Sequence, residues 1–102
     1  MDRAITRAVK AYYERRGLKF PDANSAMLFL VSEVGELADA LVSQQPGWIR
    51  NNPDRERDLK DEIGDVLMML TAMAINYDID PFEAMLDKFQ RKGYDIRDEL
   101  EK

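Results

Sequence analysis

The chain has 102 residues, enough for one domain with a modest core, and short enough that helices buried on several sides need cover from another chain. Its formal charge is -5 with acids spread along the sequence, which argues against a groove for a nucleic-acid backbone. Cysteine and histidine are both absent; this excludes disulfides, zinc–thiolate sites, thiol nucleophiles, histidine proton shuttles and His-containing di-iron clusters. Chemistry must therefore run on carboxylates, Lys, Arg, Tyr and a metal. A charged N-terminus without an apolar core, and no run of about 18 apolar residues, predict a cytoplasmic protein with no membrane segment.

The first element expected is an amphipathic helix over Asp2–Arg16, with Ile5, Val9, Tyr12 and Tyr13 at spacings of three and four and Gly17 as its stop. LKFPDANS forms a loop ending in N-cap residues, and a second helix is predicted over Ser25–Val42. Ser43–Asn52, with Pro46-Gly47 and two asparagines, is the main interior loop. Pro53 suits the first turn of a third helix running to Tyr77, charged in its first half and apolar from Val66 to Ile75. Asp80-Pro81-Phe82-Glu83 has the form of a capping box opening a fourth helix that stops at Gly93, followed by a short helical tail. No strand-like alternation or repeat occurs, so the expectation is an all-α single domain over residues 1–102, a helical bundle with a long central hairpin.

At about 100° per residue, Leu30, Val34, Leu37 and Leu41 form one stripe on the second helix, and Leu59, Ile63, Val66, Leu70, Met73 and Tyr77 one on the third. Glu33 and Glu36 then fall about 60° and 120° from the first stripe, and Glu62 and Asp65 at about the same angles from the second. E-x-x-E or E-x-x-D alone is more often a solvated face than a ligand pair. Two such pairs, matched in phase on antiparallel neighbours, bring four carboxylates together at the stripe's edge, where their repulsion requires bases, protons or divalent cations. Oxygen-only ligands suit Mg²⁺ or Mn²⁺.

SEVGELADAL followed by DEIGDVLMML resembles the MazG-like branch of the all-α nucleoside triphosphate pyrophosphohydrolases, whose signature is E-E-x-x-E, a spacer, then E-x-x-D. The likeness spans about Ala26–Lys92 and includes Gly35, Gly64, the aliphatic run after the second acidic pair, and IDPFEAMLDKF. It implies a four-helix MazG-like unit completed by oligomerisation as a homodimer or homotetramer, and Mg²⁺-dependent hydrolysis of a nucleoside triphosphate to monophosphate and pyrophosphate, in nucleotide-pool house-cleaning. Glu33, Glu36, Glu62 and Asp65 are then the metal ligands, one of them orienting or deprotonating the attacking water. Two departures stand out: Ser32 occupies the place of the first acid, and no Asn occurs between Pro81 and Lys102.

A triphosphate reaching an acidic pocket needs cationic donors for its leaving group. Lys88 ranks first because DKF matches the family's Lys on its last helix, followed by Arg91, Lys92 and Tyr94; charge at a helix C-terminus explains the cations about equally well. Trp48 in PGWIR is a candidate for base stacking, although packing against the bundle is its more ordinary use. The third helix is apolar nearly all round, through Leu67, Met68, Met69, Thr71, Met73 and Ile75, and Leu28, Val31 and Val42 do the same for the back of the second. Such helices call for a second subunit. The competing readings are a relative of phosphoribosyl-ATP pyrophosphohydrolase, and a non-enzymatic helical interaction or regulatory module.

Overall fold

The structure is a computed structural model, described here for residues 3–47 and 58–102. Its elements are α1 (Ala4–Arg15), α2 (Ala23–Val42), α3 (Leu59–Ile75), α4 (Pro81–Arg91) and a closing 3-10 turn (Arg97–Glu101), and among the described residues there is no strand. The all-α expectation holds. No helix among the described residues is long and apolar enough to cross a membrane.

Local signals set most of the boundaries. The Asp22 carboxylate caps α2 by accepting from the Ser25 backbone N–H at 2.7 Å, so α2 starts two residues before the predicted Ser25. The predicted start of α3 at Pro53 lies outside the described residues. Asp58 caps the helix that carries Glu62: its backbone is extended and its side chain accepts from the Lys60 and Asp61 N–H groups, so α3 begins at Leu59. Asp80 caps α4 as expected, with Pro81 in the first turn. α1 and α4 both end in a left-handed glycine, Gly17 at φ 64° and Gly93 at φ 87°. In each case the next residue's N–H returns to a carbonyl five residues back, Leu18 to Tyr13 and Tyr94 to Phe89, the arrangement that satisfies a helix end's orphan carbonyls.

α2 and α3 form the main helix pair. The Asn76 amide donates to the Pro21 carbonyl at 3.1 Å, joining the end of α3 to the approach to α2, so the pair is antiparallel. Its seam differs from the predicted stripes. On α2 the deeply buried positions are Ala26 and Ala40, with half-buried Glu33 midway between them; on α3 Glu62 and Met69 are buried on the facing side, while Thr71, Ala72 and Ala74 are buried on its other sides. The facing positions recur every seven residues, the spacing of a close-packed helix pair. Val34 and Leu41, placed in the predicted stripe, are about half exposed, as is Ile63. Glu33 and Glu62 thus stand in the seam, with Glu36 and Asp65 beside it.

α1 lies against α3 through Val9 and Tyr13, which join Ala26, Met69 and Ala72 in the core, with Phe20, Leu30, Met68, Met73 and Ile75 around it. Tyr13 Oη donates to Met69 Sδ at 3.6 Å. Arg3 anchors the start of α1 to the end of α3, with Nη1 2.7 Å from Asp78 Oδ1 and Nη2 2.9 Å from the Asp78 carbonyl oxygen. α4 packs on the second half of α3. Arg97 folds the tail back onto α4 by donating to Asp87 at 2.6 Å. The hairpin flank opposite α1 remains apolar and open, with Val31, Val34, Leu41, Ile63 and Leu67 all exposed.

Candidate metal centre

Glu33 and Glu36 lie one turn apart on α2, as do Glu62 and Asp65 on α3, so each pair faces the same way. With the two helices antiparallel and in contact, the pairs meet. Glu33, Glu36, Glu62 and Asp65 each offer a carboxylate oxygen, and these oxygens lie within 4.8 Å of one another. Glu62 is 7 % exposed; Glu33, Glu36 and Asp65 are half-buried.

The electrostatics of this cluster are visible at Glu33. Burial pushes its carboxyl up to about 7, and the hydrogen bond with Glu36 and the charges of Glu36, Asp65 and Glu62 all act in the same direction. Without a cation, a proton held on Glu33 and shared with Glu36 relieves part of the repulsion. Glu33 Oε2 is buried and makes no hydrogen bond, the situation that buried polar atoms ordinarily avoid.

This donor set fits a divalent cation. Two oxygens bound to one Mg²⁺ at about 2.1 Å stand roughly 3–4 Å apart, and the four oxygens here all lie within 4.8 Å of one another. An all-oxygen, anionic, partly buried cluster is the coordination preferred by Mg²⁺ and Mn²⁺ over softer metals.

A family model for the MazG nucleotide pyrophosphohydrolase domain matches residues 22–94, from the α2 cap to the residue after Gly93. The chain belongs to this family. Comparisons with curated proteins and with solved structures gave no significant match. The matched span holds all four carboxylates of the MazG domain and leaves α1 outside it.

The remaining predicted site residues are less concentrated. Ser32 is exposed and lies outside the MazG domain's carboxylate cluster. Lys88 borders an apolar groove of about 420 Å³ with Leu70, Met73, Ala74, Tyr77 and Met85. That groove lies against the second half of α3, whereas Glu62 and Asp65 come from the first. Arg91 lines a different hollow, with Ala84, Asp87 and Gln90. Lys92 is the C-cap of α4 and Tyr94 is 68 % exposed. Trp48 lies outside the described residues. Tyr12, Arg15 and Arg16, to which the sequence gave no site role, line a concavity on α1 with Arg7.

Proposed function

We propose that this chain is a divalent-cation-dependent nucleoside triphosphate pyrophosphohydrolase that converts a (d)NTP into a nucleoside monophosphate and pyrophosphate. The observation that carries this reading is the convergence of four carboxylate oxygens within 4.8 Å in the seam of a helix pair, inside a MazG domain.

Glu33, Glu36, Glu62 and Asp65 would hold Mg²⁺, with Mn²⁺ as a substitute. When bound, the cation neutralises polyphosphate charge and lowers the pKa of water. The side chains do the rest. Glu33 and Glu62, the more enclosed members, hold their oxygens in place by packing between α2 and α3. Glu36 orients the attacking water and accepts its proton as the water oxygen bonds to the α-phosphorus. The bond from the α-phosphorus to the bridging oxygen breaks, and that oxygen leaves with pyrophosphate. The family likeness is what supports a house-cleaning role, with standard and non-canonical nucleotides both as candidate substrates.

The open apolar flank supports assembly. Val31, Val34 and Leu41 of α2 and Ile63 and Leu67 of α3 present one contiguous surface on the hairpin side away from α1, and a second copy would convert two hairpins into a four-helix core. The assembly proposed is a homodimer or homotetramer.

The test is pyrophosphate release from a panel of standard and modified (d)NTPs with Mg²⁺, with Mn²⁺ and with chelator. Cation-dependent release of equimolar monophosphate and pyrophosphate is expected. A folded protein silent across the panel, and indifferent to Mg²⁺ in its thermal stability, would favour the interaction-module reading.

A further inference from the structure

α1 buries Thr6, Val9 and Tyr13 against the bundle. Ala4, Ala8, Ala11 and Arg15 follow one another at spacings of four, three and four on the opposite side of the helix, about 160° round. Arg7 on one edge and Tyr12 and Arg16 on the other wall a hollow of about 640 Å³ to which α1 alone contributes. A hollow with one helix as its whole lining does not enclose a small molecule; it is the groove between side-chain ridges that another helix fills. Glu14, the only acid of α1, shares the edge with Arg7, and Ile5, 44 % exposed, shares the other with Tyr12.

This face fits an antiparallel copy of itself. With Ala8 opposite the partner's Ala11, Ala4 falls opposite the partner's Arg15 and Arg7 level with the partner's Tyr12, so small side chains meet small or long ones and one two-fold axis relates every pair. Two alanines at the centre let the backbones approach closely. In an antiparallel pair, like edges lie on the same flank. On one flank Glu14 stands within about 3 Å, measured along the axis, of the partner's Arg7, and Arg7 stands likewise to the partner's Glu14, so each cation meets an acid. On the other flank Tyr12 comes beside the partner's Ile5, with the Arg16 guanidinium already over the Tyr12 ring at 5.4 Å from its centroid.

We propose that α1 pairs antiparallel with α1 of a second copy and so joins two hairpin dimers into a homotetramer. This rests on the hairpin assembly proposed above, supplies the second contact that a tetramer needs, and places it on an element outside the matched MazG span. A helix of 12 residues is about 18 Å long, too short for one pair to reach the roughly 1,000 Å² of a lasting interface. The contact therefore holds where two α1 pairs act together between preassembled dimers.

The experiment is sedimentation equilibrium of the wild type, Arg7→Glu, Glu14→Arg, the double variant, an equimolar mixture of the two single variants, and the hairpin variant Val31→Lys with Leu67→Lys, with pyrophosphate release measured on the same samples. The wild type is expected as a tetramer. Each single charge reversal sets like charges against each other and should halve the sedimenting mass, with helicity unchanged; the double variant and the mixture restore opposite charges and should return to tetramer. The hairpin variant should fall to monomer. Single variants that sediment as the wild type does, or a mixture that stays dimeric, overturn the α1 pairing. A wild type that is dimeric, and that retains inorganic polyphosphate while Arg15→Ala does not, overturns it in favour of a polyanion in the groove. A monomeric wild type overturns the hairpin assembly as well, and pyrophosphate release by that monomer would leave the hydrolase reading standing.

Discussion

Glu33 occupies the place in the helix pair that an alanine fills one heptad away on either side, Ala26 and Ala40, and its chemistry follows from that exchange. A carboxyl raised to about 7 from an ordinary value of 4.5 means that the folded, cation-free protein binds more protons than the unfolded chain between those two pH values. Its stability should therefore decline as pH rises from about 4.5 to about 7. Asp22 and Asp78, held below their usual range by the Ser25 N–H and by Arg3, act oppositely but only below about pH 4. Thermal melts with chelator across this window should show the decline, and saturating Mg²⁺ should remove it, with proton release on binding below pH 7. A flat profile would mean that the four charges are already compensated. For the chemistry, Glu36→Gln and Asp65→Asn should each lower turnover on the order of 10²-fold or more while circular dichroism stays unchanged, since neither opens a cavity. Near-normal rates in either variant would remove that residue from the site.

At the level of the helices, three aspartates do the same work at three starts. Asp22, Asp58 and Asp80 each turn a carboxylate onto the first-turn N–H groups of α2, α3 and α4. Asp80 is the most buried of them, at 3 % exposure, and accepts from the Phe82 and Glu83 N–H groups. Asp80→Ala should cost about 1–2 kcal/mol, a fall of several degrees in melting temperature for a domain of this size; Asp80→Asn or Asp80→Ser should recover most of it. These caps were legible in the sequence because a helix start is a local event. Proline's preference for a first turn drew the expected start to Pro53, which lies outside the described residues, and that preference says nothing about where the helix carrying Glu62 itself begins. Asp58, with its carboxylate on two backbone N–H groups, sets that start.

On the scale of the whole molecule the question is what closes the open flank. Val31 and Leu41 are 60 % and 55 % exposed, and burying side chains of this size is worth about 1.5–3 kcal/mol each. If a second copy covers them, the protein should sediment as a dimer or tetramer at micromolar concentration, and Val31→Lys combined with Leu67→Lys should shift it toward monomer with lower activity. A monomeric wild type that keeps full activity would show that the flank serves something else. Added Mg²⁺ should raise the melting temperature in a concentration-dependent way, because a cation held only by the folded seam stabilises it by mass action.

The sequence by itself determined the helical class, most caps and stops, and the pairing of Glu33 with Glu36 and of Glu62 with Asp65, since three-residue spacing on a helix leaves no freedom in which way the members of a pair face. The matched phase of the two pairs on neighbouring helices already implied that they meet, and the four oxygens do converge; the register of the seam was decided only by tertiary structure. α2 and α3 carry apolar residues on more than one face, so periodicity drew its stripe through Val34, Leu41 and Ile63, between the face that packs within the chain and the face left open. Ala26 and Ala40 escape a hydrophobicity count because they are small, yet smallness is what lets the two backbones approach and places Glu33 against Glu62. A burial pattern set by close contact between helices is a property of the pair, and neither helix alone contains it.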